Sequence, residues 1–542
     1  MELYQNPLID GLSETHPVRQ WWEGRLEGDG DLGGWPSGPD RAALDSLREP
    51  AGANRVARNL LVEVAREQYA GASMAVPAAL GRLATNEART VTTGHQLCLA
   101  GGPAFTFYKA LTAVHMAQWL ENRWGTPVVP VFWLASEDHD FEEIQSLWDG
   151  AEWHRWKGEG EPSTGAVGRM EAGGAQDLLG RWSDAAGLTA ERKDRIVVGA
   201  SGSLSEAMRR WIHHLVGPDR LLVLDGDDPR LKGAFAERMV REIQEGLLFR
   251  EVGRVNAVLD QNGHAPQVHV RETNLFHLTA GGRHRLVSHG DGWTAGARAW
   301  PDSQALIEEV KADPAAFSPN ALFRPLYQAY LLPDVAVVGG LAEVAYWLQL
   351  TTAYAALGLA RPALVPRDGA RVVPGPWTAL AASLGVTRSE FGAALPAWEA
   401  RWLAALGGPS TDSLRAALDR EADAARARFT ALDASLEGSV EATRAKIHKL
   451  LDKLEGQGRR ALRRQHAEEL AELTRLHGWL YPEGNPQERV ANVHVLADAW
   501  QEEESLEDTL NRSFLEGHRG EDWRPVLHEL LGGAPYFSLG RQ

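Results

Sequence analysis

Thr90-Val91-Thr92-Thr93-Gly94-His95-Gln96, then Gly101-Gly102-Pro103, then Val128-Val129-Pro130-Val131-Phe132-Trp133-Leu134, is the stretch whose reading decides the fold. Thr90 to Thr93 is β-branched and predicts a short strand running into Gly94-His95-Gln96. Pro103 stands where a helix begins. Phe107, Ala110, Leu111, Val114 and Ala117 repeat at helical spacing, which predicts an amphipathic helix to about Trp124. The nearly continuous apolar run Val128 to Leu134 fits a strand buried on both faces of a parallel sheet. Its end delivers Glu137, Asp138, His139 and Asp140. Strand, helix and strand with polar clusters at both strand ends form a βαβ unit, and open α/β sheets bind ligands at those ends.

Outward from this unit the pattern repeats. Leu221 to Leu224 is a second buried run, ending in Asp225-Gly226-Asp227-Asp228 ahead of a helix started by Pro229. Val335 to Val338 is another, closed by Gly339-Gly340 and followed by Glu343, Tyr346 and Trp347 on the first turns of a helix. Ala363-Leu364-Val365-Pro366-Arg367 continues the alternation, which predicts an α/β doubly wound sheet. Glu152 to about Gly180 reads as irregular, within an insertion of about 150–215, and His269 to Leu278, with Asn274, as strand and loop at a site edge. From Ser413 the character changes. Ala425, Phe429, Leu432, Leu436, Val440, Thr443, Ile447, Leu450 and Leu454 recur at steps of three and four, a coiled-coil seam with a stutter between Leu436 and Val440. Gly456 and Gly458 are expected to weaken or bend the helix before a second segment, Arg459 to His477. The expected domains are a core of 1–405, a helical arm of 406–480 and a C-terminal segment of 481–542 packing back on the core.

The 542 residues suit three or four domain-sized units, or one large core with insertions. A hydrophobic share of 44% with 20 Trp is ample for a core. The net charge of −17 argues against general binding of nucleic acid or anionic membranes, leaving only a local basic patch for phosphate. A lone cysteine, Cys98, excludes an internal disulfide and any Cys-rich zinc site, and fits a reducing cytosol. Met1 to Asn6 lacks the pattern of a signal peptide, and Leu331 to Ala360 is interrupted by Pro333, Asp334, Glu343 and Gln349, so a cytoplasmic protein with no membrane span is expected.

Two clusters carry candidate chemistry. Thr93-Gly94-His95-Gln96 before a helix has the form of a phosphate-approach loop, with His95 and Lys109 placed to stabilise charge on a transferring group. The glycine spacing matches neither G-x-G-x-x-G nor a Walker loop, so an ordinary tight turn competes. Glu137-Asp138-His139-Asp140 offers ligands for Mg²⁺ or general bases, against a plain helix cap with solvated neighbours. Cys98 reads as a small buried apolar residue. Lys446, Lys449, Lys453, Arg459, Arg460, Arg463 and Arg464 form either a solvated face or a second phosphate-binding place.

With these pieces in order, the sequence resembles the bacillithiol biosynthesis cysteine-adding enzyme family over nearly its whole length. The resemblance rests on Thr93 to Gln96, Gly102-Pro103 with Lys109, Pro130 to Trp133 running into Glu137 to Phe141, and Leu224 to Pro229. It rests equally on Asn274-Leu275-Phe276, Arg324 to Gln328 with Leu331 to Pro333, Gly339-Gly340 with Glu343, Ala345, Tyr346 and Trp347, and Tyr481 to Arg489. It implies a Rossmann-like core with connecting-peptide insertions, an α-helical coiled-coil domain that dimerises, and a ligase joining cysteine to the amine of glucosaminyl-malate. Activation of the cysteine carboxyl implies ATP or ADP at the site, with Mg²⁺ spreading the charge. With Cys98 as the one thiol, no structural zinc is expected. The resemblance points to His95, Gln96, Asp138 and His139 as catalytic. Substrate contacts fall to Lys109, Glu137, Asp140, Asn274, Arg324, Glu343, Tyr346 and Trp347, and nucleotide contacts to Gly94 and Gly102 or to Arg459, Arg460 and Arg463. Two other classes use the same features: a metal-dependent phosphoester hydrolase and a non-catalytic coiled-coil assembly factor.

Overall fold

The computed structural model describes residues 9, 12–26, 41–48, 58–157, 165–279, 281–407, 410–518, 523 and 525–531. They fall into two compact units, the first mainly Met1–Val372 with Glu488–Leu530, the second mainly Val373–Gln487.

In the first unit the strands are β1 (Arg89–His95), β2 (Val128–Leu134), β3 (Leu222–Asp225), β4 (Leu275–Thr279), β5 (Gly282–Arg285), β6 (Phe317–Pro319), β7 (Asp334–Gly339) and β8 (Ala363–Pro366). The helices that matter for the site are α1 (Ala104–Trp124), α2 (Phe141–Ile144), α3 (Pro229–Glu245), α4 (Arg324–Leu331) and α5 (Leu341–Leu348). Five strands form one sheet in the order β8-β7-β1-β2-β3, with every neighbouring pair parallel. Thr93 lies opposite both Phe132 and Val338, which fixes the register at the centre.

Both faces of this sheet are covered. Val129, Val131 and Trp133 belong to one buried cluster, while Val91, Val128, Ala336 and Val338 pack against Ala113, Met116, Ala117 and Leu120 of α1 in another. That double burial is why all seven residues of β2 are buried and why its sequence shows no alternation. This is the doubly wound parallel core that the apolar runs predict, in keeping with the Rossmann-like fold that the resemblance implies. The chain steps from β1 outward to β2 and β3, then returns to place β7 on the other side of β1. The reversal makes β1 and β7 the switch point, beside which open sheets hold ligands. Between β3 and β7 the chain adds a small antiparallel sheet, β6-β4-β5. The irregular stretch read from Glu152 to about Gly180 ends at Gln176, where the first of three helices begins, Gln176–Ala185, Ala190–Gly199 and Leu204–Val216.

The second unit carries α6 (Asp412–Leu432), α7 (Glu437–Gln465) and α8 (Ala467–Leu480). It corrects the seam read from sequence. The apparent stutter between Leu436 and Val440 adjoins a reversal of the chain, a 3-10 turn at Ala434–Leu436, so α6 and α7 form an antiparallel hairpin. Cross-hairpin ties confirm the direction: Arg415 with Asp452 at 2.7 Å, Arg444 with Asp419 at 2.7 Å, and the Thr411 amide to Glu455 at 2.8 Å. The α7 helix runs through Gly456 and Gly458 without the expected break, which falls instead at His466. Glycine lowers helix stability by about 1 kcal/mol, too little to interrupt a long helix with good propagation on both sides. Phe429, Leu432, Leu450 and Leu454 stay 48%, 80%, 63% and 53% exposed, so the hairpin does not consume its own apolar surface.

The chain then rejoins the first unit with α9 (Val493–Trp500) and α10 (Leu506–Gly517). This return explains a second departure from expectation. Rather than amphipathic, α1 is buried around most of its circumference. Tyr108 packs 5.8 Å from Phe514 and Trp119 6.2 Å from Trp523, ring centre to ring centre. Among the described residues no helix is long and apolar enough to cross a membrane.

Candidate functional site

The site lies where β1, β2 and β7 end. The His95 ring sits edge-on to Phe105 at 4.8 Å, with Nε2 3.9 Å from the Cys98 sulfur. Burial, with Lys109, Arg324 and Arg367 nearby, holds its pKa well below the ordinary value, so the imidazole is neutral. Gln96 turns its amide nitrogen toward Asp138 at 3.3 Å, while its buried Oε1 has no hydrogen-bond partner among the described residues. Asp138 is half-buried. Against the upward push of burial, Arg283, Arg324, the His139 amide and Gln96 keep its carboxyl below the usual range. His139 is exposed, with Nδ1 3.4 Å from Asp138 Oδ1.

Across from Asp138 stands Arg324, the first residue of α4, which makes no ion pair with a carboxylate among the described residues. Tyr346, Asp138, Glu343 and Glu137 lie near enough to reinforce its positive charge against burial. The Tyr346 hydroxyl is pushed up to about 12 by burial and by Glu343, so it stays a donor. Trp347 packs its ring where a side chain at Gly339 would sit, 2.7 Å from such a Cβ, which makes glycine necessary at the end of β7.

Lys109 fills the switch point. Only 1% exposed, it donates to the Gly94 carbonyl and to Glu343 Oε2 at 2.7 Å, and Glu343 also accepts the Gly340 amide at 2.8 Å. Burial pulls the Lys109 pKa down, and Glu343 opposes the fall. The pair ties β1 to the start of α5 rather than presenting a free ammonium.

Three predicted contact residues act from behind the site. Glu137 pairs with the fully buried Lys232 at 2.6 Å, and Lys232 pairs with Asp227 at 2.7 Å. Burial disfavours that ammonium, but the two carboxylates hold it protonated. Asp140 caps α2 through the Glu143 amide. Asn274 is fully buried and bonds Glu242 at 2.8 Å and Asn320 at 2.8 Å. Asn320 in turn accepts the Arg324 amide, so Asn274 fixes the start of α4.

Of the nucleotide candidates, Gly102 has φ +86° and a Cβ there would lie 2.9 Å from Thr106, while Gly94 packs against the Trp133 carbonyl. Arg459, Arg460 and Arg463 belong to the second unit, Arg463 being paired with Glu399. Among the described residues no three His, Cys, Asp or Glu side chains gather as a metal cage would. Since Glu137 and Asp227 face Lys232 and Asp138 faces Arg283, the acids at these strand ends do not fit a resident Mg²⁺.

The residue that sequence reading missed is Arg283 on β5. Its guanidinium lies 4.0 Å over the Phe276 ring and reaches Asp138 at 3.3 Å, the Pro319 carbonyl at 2.9 Å and Ser318 at 3.2 Å. The one available signal was the alternation Arg283-His284-Arg285, which places two arginines on one strand face.

Comparison with known proteins adds a family to this geometry. Residues 41–368 match the model described as bacillithiol biosynthesis BshC, N-terminal Rossmann-like domain, and residues 370–504 match the C-terminal coiled-coil domain of the same family. A protein of Cytophaga hutchinsonii named "Putative cysteine ligase BshC" is 31% identical over 468 residues, covering 84% of this chain and 87% of its own. Proteins of the same name from Salinibacter ruber and Geobacillus thermodenitrificans are each 30% identical, over 85% and 78% of this chain and 87% and 82% of theirs.

Proposed function

The chain belongs to the bacillithiol biosynthesis BshC family, and on that premise we propose that it is a cysteine ligase, joining the carboxyl group of L-cysteine to the amine of glucosaminyl-malate to form bacillithiol. The observation that carries this reading is Arg324: a buried guanidinium near Asp138 and Tyr346 that forms no ion pair with a carboxylate among the described residues. Such a group is suited to a substrate carboxylate, which it grips through two parallel hydrogen bonds. Tyr346 adds a hydroxyl donor beside it. The amide oxygen of Gln96 is an acceptor for a substrate ammonium or hydroxyl.

Amide formation from a free carboxylate needs a leaving group. ATP supplies it as a consumed substrate, its phosphate or AMP departing with one carboxyl oxygen as the amine nitrogen bonds to carbon. The attacking amine must shed a proton. Neutral His95 and ionised Asp138, with exposed His139 beside it, are the bases in reach of this region. We place the nucleotide either at the turn of Gly94 and Gly102 or at Arg459, Arg460 and Arg463 on the arm. Calorimetric titration of ATP and ADP into wild type and Arg459→Ala/Arg463→Ala separates the two, since unchanged affinity removes the arm.

A cytoplasmic homodimer completes the proposal, with the exposed apolar residues of α6 and α7 as its contact. The decisive test supplies purified protein with cysteine, glucosaminyl-malate and ATP and follows the thiol product by mass. Bacillithiol formation that collapses in Arg324→Met supports the ligase. Phosphate release that ignores cysteine would instead make the protein a phosphoester hydrolase.

A further inference from the structure

The turn between β1 and α1 is strained, and its own closing bond, from the Gly102 amide to the Leu99 carbonyl at 3.0 Å, leaves the Ala100 and Gly102 carbonyls to be met from elsewhere. Ala100, Gly101 and Gly102 stand at φ +50°, +82° and +86°, and Ala100 has no glycine's freedom to do so. Such a conformation persists only when its surroundings over-determine it. Here they come from the far end of the chain. Asn492, 2% exposed, donates its side-chain amide to the Gly102 carbonyl at 2.8 Å and to the Ala100 carbonyl at 3.1 Å. Its neighbour Ala491 accepts the Ala104 amide at 2.8 Å, so the first amide of α1 is already engaged. Glu488 forms a buried two-pronged pair with Arg367, whose guanidinium lies 5.4 Å over Phe105, the ring that supports His95.

We infer that Asn492, aided by Ala491 and Glu488, is a positioning residue: it clamps the β1–α1 turn and thereby fixes His95 and Gln96. The catalytic consequence rests on the ligase reading above; the clamp itself does not. Asn492 has a second task, since its Oδ1 accepts the His494 amide at 2.9 Å and caps α9. The two tasks separate cleanly. Asn492→Asp keeps the size and the capping oxygen but replaces the amide donor with an acceptor facing two carbonyl oxygens.

The chain carries its own reporter. Cys98 is the only cysteine, is buried, and packs against the turn with its sulfur 3.6 Å from where a Gly102 Cβ would stand. Its rate of reaction with a disulfide reagent such as dithiobis-nitrobenzoate therefore reads opening of the turn. The comparison uses full-length wild type, Asn492→Asp, and Ser505→Ala as control, because Ser505 caps the neighbouring α10 without touching the turn. Two hydrogen bonds lost should open the turn about tenfold more often, with Cys98 reacting about tenfold faster in Asn492→Asp and within about twofold of wild type in Ser505→Ala. In the ligation assay, kcat should fall while the KM for cysteine stays within about twofold, the mark of geometry lost after binding. Should Asn492→Asp fold poorly, Asn492→Ser, which retains a capping oxygen and no amide, carries the same comparison. Unchanged Cys98 reactivity overturns the clamp, and faster reaction with unaltered kcat overturns its positioning role. A wild type that ligates nothing overturns the proposed function instead, and the Cys98 ratio then decides the clamp by itself.

Discussion

Asp138 and His139 are neighbours in sequence with unequal prospects. Asp138 is half-buried, paired with Arg283 and bonded by Gln96, whereas His139 is exposed and touches Asp138 from outside. Asp138→Asn should lower kcat/KM on the order of 10²-fold or more with a melting temperature close to wild type, and His139→Ala should cost less. Parallel melting and turnover of both variants check this. Near-normal turnover in Asp138→Asn would reduce the cluster to a scaffold. A second carboxylate sits at the opposite end of the sheet. Asp334 on β7 accepts from Thr90, Thr92 and Gln328, yet burial still raises its pKa from 3.8 to about 6. Between those two values the folded chain holds a proton that the unfolded chain has lost, so this group's contribution to stability declines as pH rises through the window and is flat above it. Asp334→Asn should therefore leave stability near wild type at pH 4 and raise it by about 1–3 kcal/mol at pH 7.5. Denaturant titrations at the two pH values test it, and an equal effect at both would mean that hydrogen-bond geometry, not charge, governs the site.

At the level of elements, the strands were legible because parallel strands buried on both faces leave uninterrupted apolar runs, as Val128 to Leu134 and Val335 to Val338 do. The strand ends were legible for a related reason, since ionisable residues directly after such runs stand out. The arm was misread at its turn. An antiparallel hairpin and a continuous coil both need apolar residues at steps of three and four, and Ala434-Ser435-Leu436 contains no Gly or Pro to mark the reversal. Lys232 and Asn492 were invisible for another reason, and the Arg283-His284-Arg285 alternation marks a charged strand face without naming its partner: Glu137, Gly102 and Asp138, which these three residues meet, lie 90 or more residues away in the chain. The hairpin also bears on assembly. With Leu432 80% and Phe429 48% exposed at its tip, Phe429→Ser/Leu432→Ser should lower the fraction of dimer at micromolar concentration, measured by light scattering, without changing the melting of the sheet. A monomeric wild type would show that the tip has no partner of its own kind.

For the molecule as a whole, the notable arrangement is that the first unit is discontinuous. Its sheet and site residues come from the segment ending at Val372, but Glu488–Leu530 is needed to cover α1 and hold the first turn. A chain ending at Gln487 should be insoluble or bind hydrophobic dye, because it uncovers Tyr108 and the outer face of α1. Size-exclusion chromatography and melting decide. A soluble truncation with one sharp transition would mean the core closes without its last segment.

That discontinuity sets an order of events during synthesis. The 115 residues from Val373 to Gln487 lie between the segment that supplies the sheet and the segment that covers α1. At roughly 5–20 residues per second, a ribosome spends on the order of ten seconds on this interval. Throughout that time the nascent core exposes the apolar side of α1 that Phe514 and Trp523 later cover, a standing invitation to chaperones. The arm, made of contacts close in sequence, can fold while the core waits. A translation product cut short before residue 488 thus carries His95, Asp138, Arg324 and Tyr346, yet lacks the Ala491 and Asn492 contacts that complete the first turn.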